Sequence, residues 1–288
     1  MNTTLTINKA VENFKTLIDS SIKEGGNKGK TAMIRSSKPI LNIHEAVKVQ
    51  LIQNGVNKGL IHPPLGERSP ELKLAGFLKQ KNQDLCVSPN DIDPTSEILK
   101  IGLLNGIEDE IGEECTKKTL TINIRSQISS IQKNFDTLYE RTISEAQNLH
   151  ERCPEMVLGE VYMIAVPEYD DKEFVNKKSK FKNISSNLVE KYIKSFKAIT
   201  GRNKISKIFF QYEATCLLIV DFSNQTPKIY NSTDELISAG LLPEDTQIKY
   251  EGLEWKNFSV KLISAYEKRF GTGILSWYFS IKKASISS

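Results

Sequence analysis

The sequence predicts a mixed α/β fold in which a central sheet is flanked by helices, and three apolar patterns predict it. Residues 119–150 begin with alternating apolar positions and change to a helical spacing, which indicates a strand that leads into a long helix. Residues 156–166 form a nearly continuous apolar run between two prolines, which is typical of a strand buried on both faces. Residues 208–222 contain one or two further apolar strands. Helices and strands therefore alternate along the chain.

Length and composition favour a globular protein with one main domain. The chain has 288 residues, of which 39% are hydrophobic and 26% are charged. We predict one main domain over 1–288, with an N-terminal helical segment at about 1–35 and a core at about 40–222. The sequence contains no apolar run long enough to span a bilayer and no signal-peptide core at its start. We therefore expect a cytoplasmic protein that does not bind a membrane.

Charge and cysteine content exclude some classes of site. The four cysteines lack the spacing of a zinc site, and the three histidines are dispersed. A net charge of +4 permits nucleic-acid binding but does not demand it. Two basic stretches, residues 23–30 and 176–182, have the composition of loops. We interpret them as solvated loops, with phosphate-contacting arms as the alternative.

The remaining elements are predicted from periodicity and from helix-ending residues. Apolar residues at helical spacing predict a helix over residues 4–22, which the glycines of 25–29 end. A second helix is predicted over residues 40–54 and a third over residues 187–199. Residues 71–89 predict two strands joined around Lys81 and Asn82, the second being Leu85–Val87. A short helix capped by Ser232 and a C-terminal helix over residues 255–270 complete the chain.

Asp84 is the strongest single candidate for chemistry. It stands at the start of a short apolar strand, where a carboxylate cannot join the core and is expected to face a cleft. Lys81 comes three residues before it. On the later strand, Asn123 and Arg125 are two residues apart and so share one face. Such a pair near a strand end is a common way to hold reactive groups rigidly.

Three features of the chain follow one another in a recognisable order: Gln83-Asp84 on one strand, Asn123-Ile124-Arg125 on the next, and a long helix after it. This order resembles that of the PD-(D/E)XK nuclease superfamily, in particular of type II restriction endonucleases. The resemblance covers residues 40–222 as an order of elements. It implies a restriction-endonuclease-like sheet and magnesium-dependent, sequence-specific hydrolysis of double-stranded DNA by a homodimer. It assigns catalytic roles to Asp84, Asn123, Arg125 and Lys81, with Asp84 and Asn123 as Mg²⁺ ligands and with Glu45, on an early helix, as an assisting acid.

The chain departs from the superfamily pattern at two positions. Asn123 stands where the superfamily has an acid, and an amide oxygen can bind a hard cation but brings no negative charge. Arg125 stands where the superfamily has a lysine, and a guanidinium can stabilise a phosphate but cannot act as a base. Glu71-Leu72-Lys73, an ExK in reversed order, and Glu160 are possible substitutes, and each also has a purely structural interpretation.

These departures leave a second function open, a catalytically inactive DNA-binding protein on a nuclease-like scaffold. An enzyme of another class is disfavoured, because the chain has no GxSxG, GxGxxG or HExxH motif.

Overall fold

The computed structural model describes residues 4–100, 102–170, 179–203 and 206–276. Its helices are α1 (Ile7–Arg35), α2 (Leu41–Gln53), α3 (Glu113–Lys118), α4 (Ile131–Arg152), α5 (Ser186–Ala198), α6 (Thr233–Ser238) and α7 (Phe258–Phe270). Its strands are β1 (Ile61–His62), β2 (Lys73–Ala75), β3 (Gln80–Asn82), β4 (Leu85–Val87), β5 (Glu97–Ile98), β6 (Glu108–Asp109), β7 (Leu120–Gln127), β8 (Val157–Ala165), β9 (Glu168–Tyr169), β10 (Phe181–Lys182), β11 (Ala214–Asp221) and β12 (Lys228–Ile229). No helix in these ranges is both long enough and apolar enough to cross a membrane.

Six strands form one mixed sheet in the order β1, β4, β7, β8, β11, β12. The three central strands, β7, β8 and β11, run parallel, while β4 is antiparallel to β7. All nine residues of β8 are buried, which explains why this strand has no alternating pattern in the sequence. The prediction of a mixed α/β fold with a central sheet is confirmed.

Helices cover both faces of this sheet. Gly159 of β8 lies beside α7, and a Cβ at this position would stand 2.7 Å from Cδ1 of Leu262, so the helix packs directly on the strand. On the opposite face, α4 and α5 lie over the polar side of β7. Gln127 accepts a hydrogen bond from the hydroxyl of Tyr192 on α5, at 2.6 Å, and Arg125 donates to Thr142 on α4. The polar residues of β7 therefore point beneath α4 and α5.

The N-terminal helix differs from the prediction. The helical segment continues to Arg35 and is interrupted at Gly26, where φ is 57° and ψ is −140°. One glycine in this left-handed conformation reverses the local direction without preventing a new helical stretch from starting after it. The basic stretch 23–30 is thus helical, not a loop. In the other basic stretch, residues 176–178 lie outside the described residues.

One strand prediction was also wrong in detail. Lys81 and Asn82 lie within β3, and the turn of the β2–β3 hairpin falls at residues 76–79. Residues 208–222 supply only one strand, β11. The residues before it are held by α4 instead of by a strand ladder: His150 binds the carbonyl of Phe209, and Tyr212 donates to the carbonyl of Thr142. The predicted helices over 40–54 and 187–199 are confirmed as α2 and α5.

Candidate functional site

A cavity of about 380 Å³ opens beside the junction of β4 and β7. Its position follows from the shortness of β4, which pairs with β7 only as far as Leu85 opposite Ile122. Beyond that pair the edge of β7 has no strand beside it among the described residues. The charged and polar side chains that line the cavity are Ser37, His44, Glu71, Lys81, Asp84, Arg125, Ser126, Arg141 and Tyr162.

Asp84 lines this cavity and is held in place by the backbone of β7. Its Oδ2 accepts a hydrogen bond from the amide of Ile124 at 2.9 Å, so the carboxylate occupies the next ladder position after the β4–β7 pairing. His44 of α2 lies against it. Burial lowers the pKa of His44, and the nearby negative charge of Asp84 only partly opposes this effect. His44 is therefore neutral at pH 7, and Asp84 is held by hydrogen bonding to the β7 backbone.

Arg125 joins the cavity to the buried centre of the sheet. Its Nη1 donates to Oε1 of Glu160 at 2.6 Å and to Oγ1 of Thr142 at 3.0 Å. Its Nη2 has no hydrogen-bond partner among the described residues. Burial acts to lower the pKa of Arg125, but the interactions with Glu160, Tyr212 and Asp84 together outweigh burial and raise that pKa. Arg125 thus stays protonated, and its Nη2 is buried near the phenol of Tyr212.

Glu160 and Asn123 lie deeper, side by side across the β7–β8 ladder. Glu160 is fully buried, its Oε2 has no partner among the described residues, and burial raises its pKa to about 7 although Arg125 pulls in the other direction. The amide of Asn123 lies beside the phenol of Tyr212, whose hydroxyl donates to Thr142 instead. Within the described chain neither polar atom of Asn123 has a partner of ordinary geometry. Several polar atoms therefore meet here without full satisfaction, which is rare in protein interiors.

Lys81 reaches the cavity from the β2–β3 hairpin. Its Nζ pairs with Oε2 of Glu145 on α4 at 3.0 Å, and Lys79 pairs with the other carboxylate oxygen at 3.1 Å. Asn148, one turn further along α4, accepts hydrogen bonds from the amides of Leu78 and Lys79. The hairpin is thus held against α4, and of the two lysines that pair with Glu145 only Lys81 lines the cavity.

The structure brings together three of the five predicted catalytic residues, Asp84, Lys81 and Arg125. Asn123 is buried next to them but does not line the cavity. Glu45 faces elsewhere: its Oε1 pairs with Lys48 at 2.7 Å and its Oε2 accepts the amide of Gly66 at 2.7 Å.

Two residues of the cavity, His44 and Arg141, were missed by sequence reasoning. His44 precedes Val47 and Leu51 at helical spacing, which was the available signal that it lies on the inner face of α2. Its neighbour Glu45 is rotated about 100° around the helix, so the two side chains point in different directions. The sequence offers no comparable signal for Arg141.

The carboxylates of the cavity decide which metal it could hold. The described residues contain no group of three or more His, Cys, Asp or Glu side chains that could surround a metal ion. Asp84 and Glu71 line the same cavity, and both act electrostatically on Cys86. Magnesium is commonly bound through one or two carboxylates with water and substrate phosphate completing its shell. The donor set therefore fits Mg²⁺ and does not fit a zinc ion held entirely by protein.

Similarity to known proteins does not assign the chain to a family. Comparison with protein-family models, with curated proteins and with solved structures finds no match.

Proposed function

We propose that this chain is a magnesium-dependent endonuclease that hydrolyses phosphodiester bonds of double-stranded DNA on a restriction-endonuclease-like sheet. The observation that carries the proposal is the meeting of Asp84, Lys81 and Arg125 on one cavity. The order of elements supports it: antiparallel β4 and β7, then α4, then parallel β8. This is the order that the resemblance to the PD-(D/E)XK superfamily implies.

In this proposal the cavity binds the scissile phosphate and its metal. Asp84 and Glu71 would hold Mg²⁺, which when bound polarises the phosphate and lowers the pKa of the attacking water. The amide of Ile124 orients the Asp84 carboxylate. Lys81 and Arg125, which line the cavity, donate hydrogen bonds to phosphate oxygens as negative charge builds up on them.

Arg125 is assigned to charge stabilisation and not to proton transfer. Its pKa is raised, so it does not give up a proton at neutral pH and cannot deprotonate water. Asn123, which the sequence suggested as a metal ligand, would support the site from beneath. Sequence-specific cutting, a homodimer and a cytoplasmic location belong to the same proposal through the resemblance to type II restriction endonucleases.

One observation favours the second candidate, a DNA-binding protein without catalysis. Two of the three arginine and lysine residues that line the cavity already pair with a buried carboxylate, since Arg125 pairs with Glu160 and Lys81 pairs with Glu145. Asn123 also brings no charge to the position where the superfamily has an acid. In this alternative the same cavity binds a backbone phosphate without cleaving the chain.

Cleavage of unmethylated phage DNA, with Mg²⁺ and with EDTA, tests the proposal. We expect discrete fragments only with Mg²⁺, and we expect Asp84→Ala to lower the cleavage rate by about 1000-fold or more, on the scale of losing a principal catalytic group. Asp136→Ala is the matched control, because Asp136 lies on the surface of α4 and its side chain is 78% exposed. Circular dichroism and urea unfolding check that both variants fold.

Two other results would contradict the nuclease, and a third would contradict its proposed site. Intact DNA with a shifted gel band would support the binding protein instead. Intact DNA without a shift would contradict both candidates. Cleavage that Asp84→Ala leaves unchanged would place the chemistry outside this cavity.

A further inference from the structure

The second half of α1, residues 27–35, presents one face whose side chains are exposed in the described part of the chain. Beyond the interruption at Gly26, the side chains on this face are small, polar or cationic, and they line a shallow groove of about 580 Å³: Asn27, Lys28, Thr31, Ala32, Arg35 and Ser36. Asn27, Lys28, Thr31 and Arg35 follow the helical repeat and so lie along one side of the helix. This face is exposed throughout.

The charge of this region is entirely positive. Residues 25–44 contain four lysine and arginine residues and no aspartate or glutamate, although the chain has 35 acidic residues in all. Lys30 is buried, whereas Lys28, Arg35 and Lys38 are exposed. A surface of this kind attracts a polyanion, and few residues on it would repel one.

The exposed helix adjoins the candidate active site. Ile34 and Ser37, at its end, line the same cavity as Asp84. Its direction is fixed at Gly29, where a Cβ would stand 2.1 Å from the carbonyl oxygen of Ser21. The second half of α1 can therefore approach the first half closely only because residue 29 is glycine. If a backbone phosphate of a DNA duplex lies in the cavity, the adjacent groove of that duplex lies next to this helix.

We propose that residues 27–35 enter the major groove of B-form DNA whose scissile phosphate lies in the cavity. This inference rests on the proposed function and adds the element that reads the sequence. Nine residues of helix are about 13 Å long and about 10 Å wide, and the major groove is about 12 Å wide. Lys28 and Arg35, at the two ends, contact backbone phosphates. Asn27, next to Lys28, and Thr31, between the two cations, reach base edges, where amide and hydroxyl side chains discriminate bases.

The first test measures binding of a 30-base-pair duplex in EDTA at several salt concentrations. The double variant Lys28→Ala/Arg35→Ala is compared with Lys256→Ala/Lys268→Ala, which removes two exposed lysines near and within α7. We expect the first variant to bind 10- to 100-fold more weakly than wild type and to lower the slope of log K against log salt by about 2. The control should bind close to wild type.

The outcomes separate this inference from the function on which it rests. Equal binding by the two double variants, with wild type still binding and cutting DNA, would overturn the helix assignment alone. Failure of wild type to bind DNA would overturn the proposed function and the inference with it. Equal competition by an RNA duplex would also overturn the inference, because the major groove of A-form RNA is too narrow and deep for a helix.

A second test reads specificity directly. Sequencing the cut ends from a random-duplex library should show that Asn27→Ala or Thr31→Val changes the base preference at one or two positions of the site. Cleavage of bound DNA should persist, because neither residue lines the cavity. An unchanged preference in both variants would contradict a reading role for this helix.

Discussion

Two buried clusters of charged residues lie against the central sheet, and they differ in how fully their polar atoms are paired. The first surrounds Glu213, directly before β11. The second surrounds Glu160, in the middle of β8. Both glutamate side chains are completely buried. Each pairs with at least one arginine, so charge pairing alone does not distinguish the two clusters.

In the Glu213 cluster nearly all buried polar atoms have a partner, and we call this cluster closed. Oε1 of Glu213 pairs with Arg202 at 3.0 Å and with Arg269 at 2.6 Å, and Oε2 accepts the amide of Leu158 at 2.6 Å. The two arginines also donate to backbone carbonyls, those of Pro154 and Met156 among them. Only Nε of Arg202 is left without a partner in the described chain. Through Arg269 and Arg202, the cluster ties α7 and the segment around Arg202 to the start of β8. This role is structural.

In the Glu160 cluster several buried polar atoms have no partner in the part of the chain that the structure describes, and we call this cluster open. Oε2 of Glu160, Nη2 of Arg125 and both polar atoms of Asn123 lack partners among the described residues. The cluster also adjoins a cavity, which Arg125 lines. Unsatisfied buried donors and acceptors are costly, so their concentration beside a cavity indicates a site for a ligand. The comparison teaches that the Glu160 cluster is the less completely paired of the two, which supports its place in the proposed site.

Glu213→Gln is the strongest test of the closed cluster. The substitution leaves two buried guanidinium groups without their shared carboxylate, so we expect the free energy of unfolding to fall by about 3–5 kcal/mol at pH 7. Urea unfolding measures this loss, and Glu160→Gln at the same pH is the matched substitution in the open cluster. A larger loss for Glu160→Gln than for Glu213→Gln would reverse the comparison.

The pH dependence of Glu160→Gln tests the open cluster. The folded-state pKa of Glu160 is raised to about 7, so the folded chain binds this proton more tightly than the unfolded chain does. The proton therefore stabilises the fold at acidic pH, and this contribution is lost as the pH rises through about 7. The stability of wild type relative to Glu160→Gln should fall by about 2–3 kcal/mol between pH 5 and pH 8. A difference that does not change with pH would show that Glu160 stays ionised throughout.

Arg125→Lys separates charge from geometry at the cavity. Lysine keeps the positive charge but cannot bind Glu160 and a phosphate with two donors of one planar group. We expect single-turnover cleavage to slow by about 10- to 100-fold, or about 1.4–2.7 kcal/mol in the barrier. An unchanged rate would limit Arg125 to the structural role of holding Glu160.

Lys81→Ala and Lys79→Ala form the finest comparison, because both lysines pair with Glu145 and only Lys81 lines the cavity. We expect each variant to lose less than about 1 kcal/mol of stability, since both lysines are at least partly exposed and the other one remains as a partner. DNA cleavage should weaken only in Lys81→Ala. Equal cleavage by the two variants would exclude Lys81 from phosphate binding.

Much of the fold could be predicted because periodicity is a local property of the chain. The long helix α4 and the buried strand β8 follow directly from the spacing of their apolar residues. Errors arose where a non-local contact decides the conformation. Gly26 interrupts α1 without ending the helical segment, and Lys81 and Asn82 pair with β2 instead of forming the turn.

The candidate site divides in the same way. Asp84 could be singled out because a carboxylate at the start of an apolar strand has no place in the core. Whether His44 or Glu45 lines the cavity depends on which face of α2 is turned toward Asp84. That Glu71 lines the same cavity as Asp84 depends on how the segment before the β2–β3 hairpin is placed against β4. Neither can be read from spacing along the chain.

The sequence by itself determined the alternation of helices and strands, the burial of the central strands and the polar face of β7, because each depends on the order of apolar and polar residues. Only the tertiary structure decided that Glu160 lies under Arg125, that Lys81 and Arg125 share a cavity with Asp84, and that Glu213 is fully paired. These residues are tens of positions apart in the chain. Their pairing is set by strand register and helix packing, which bring distant side chains together.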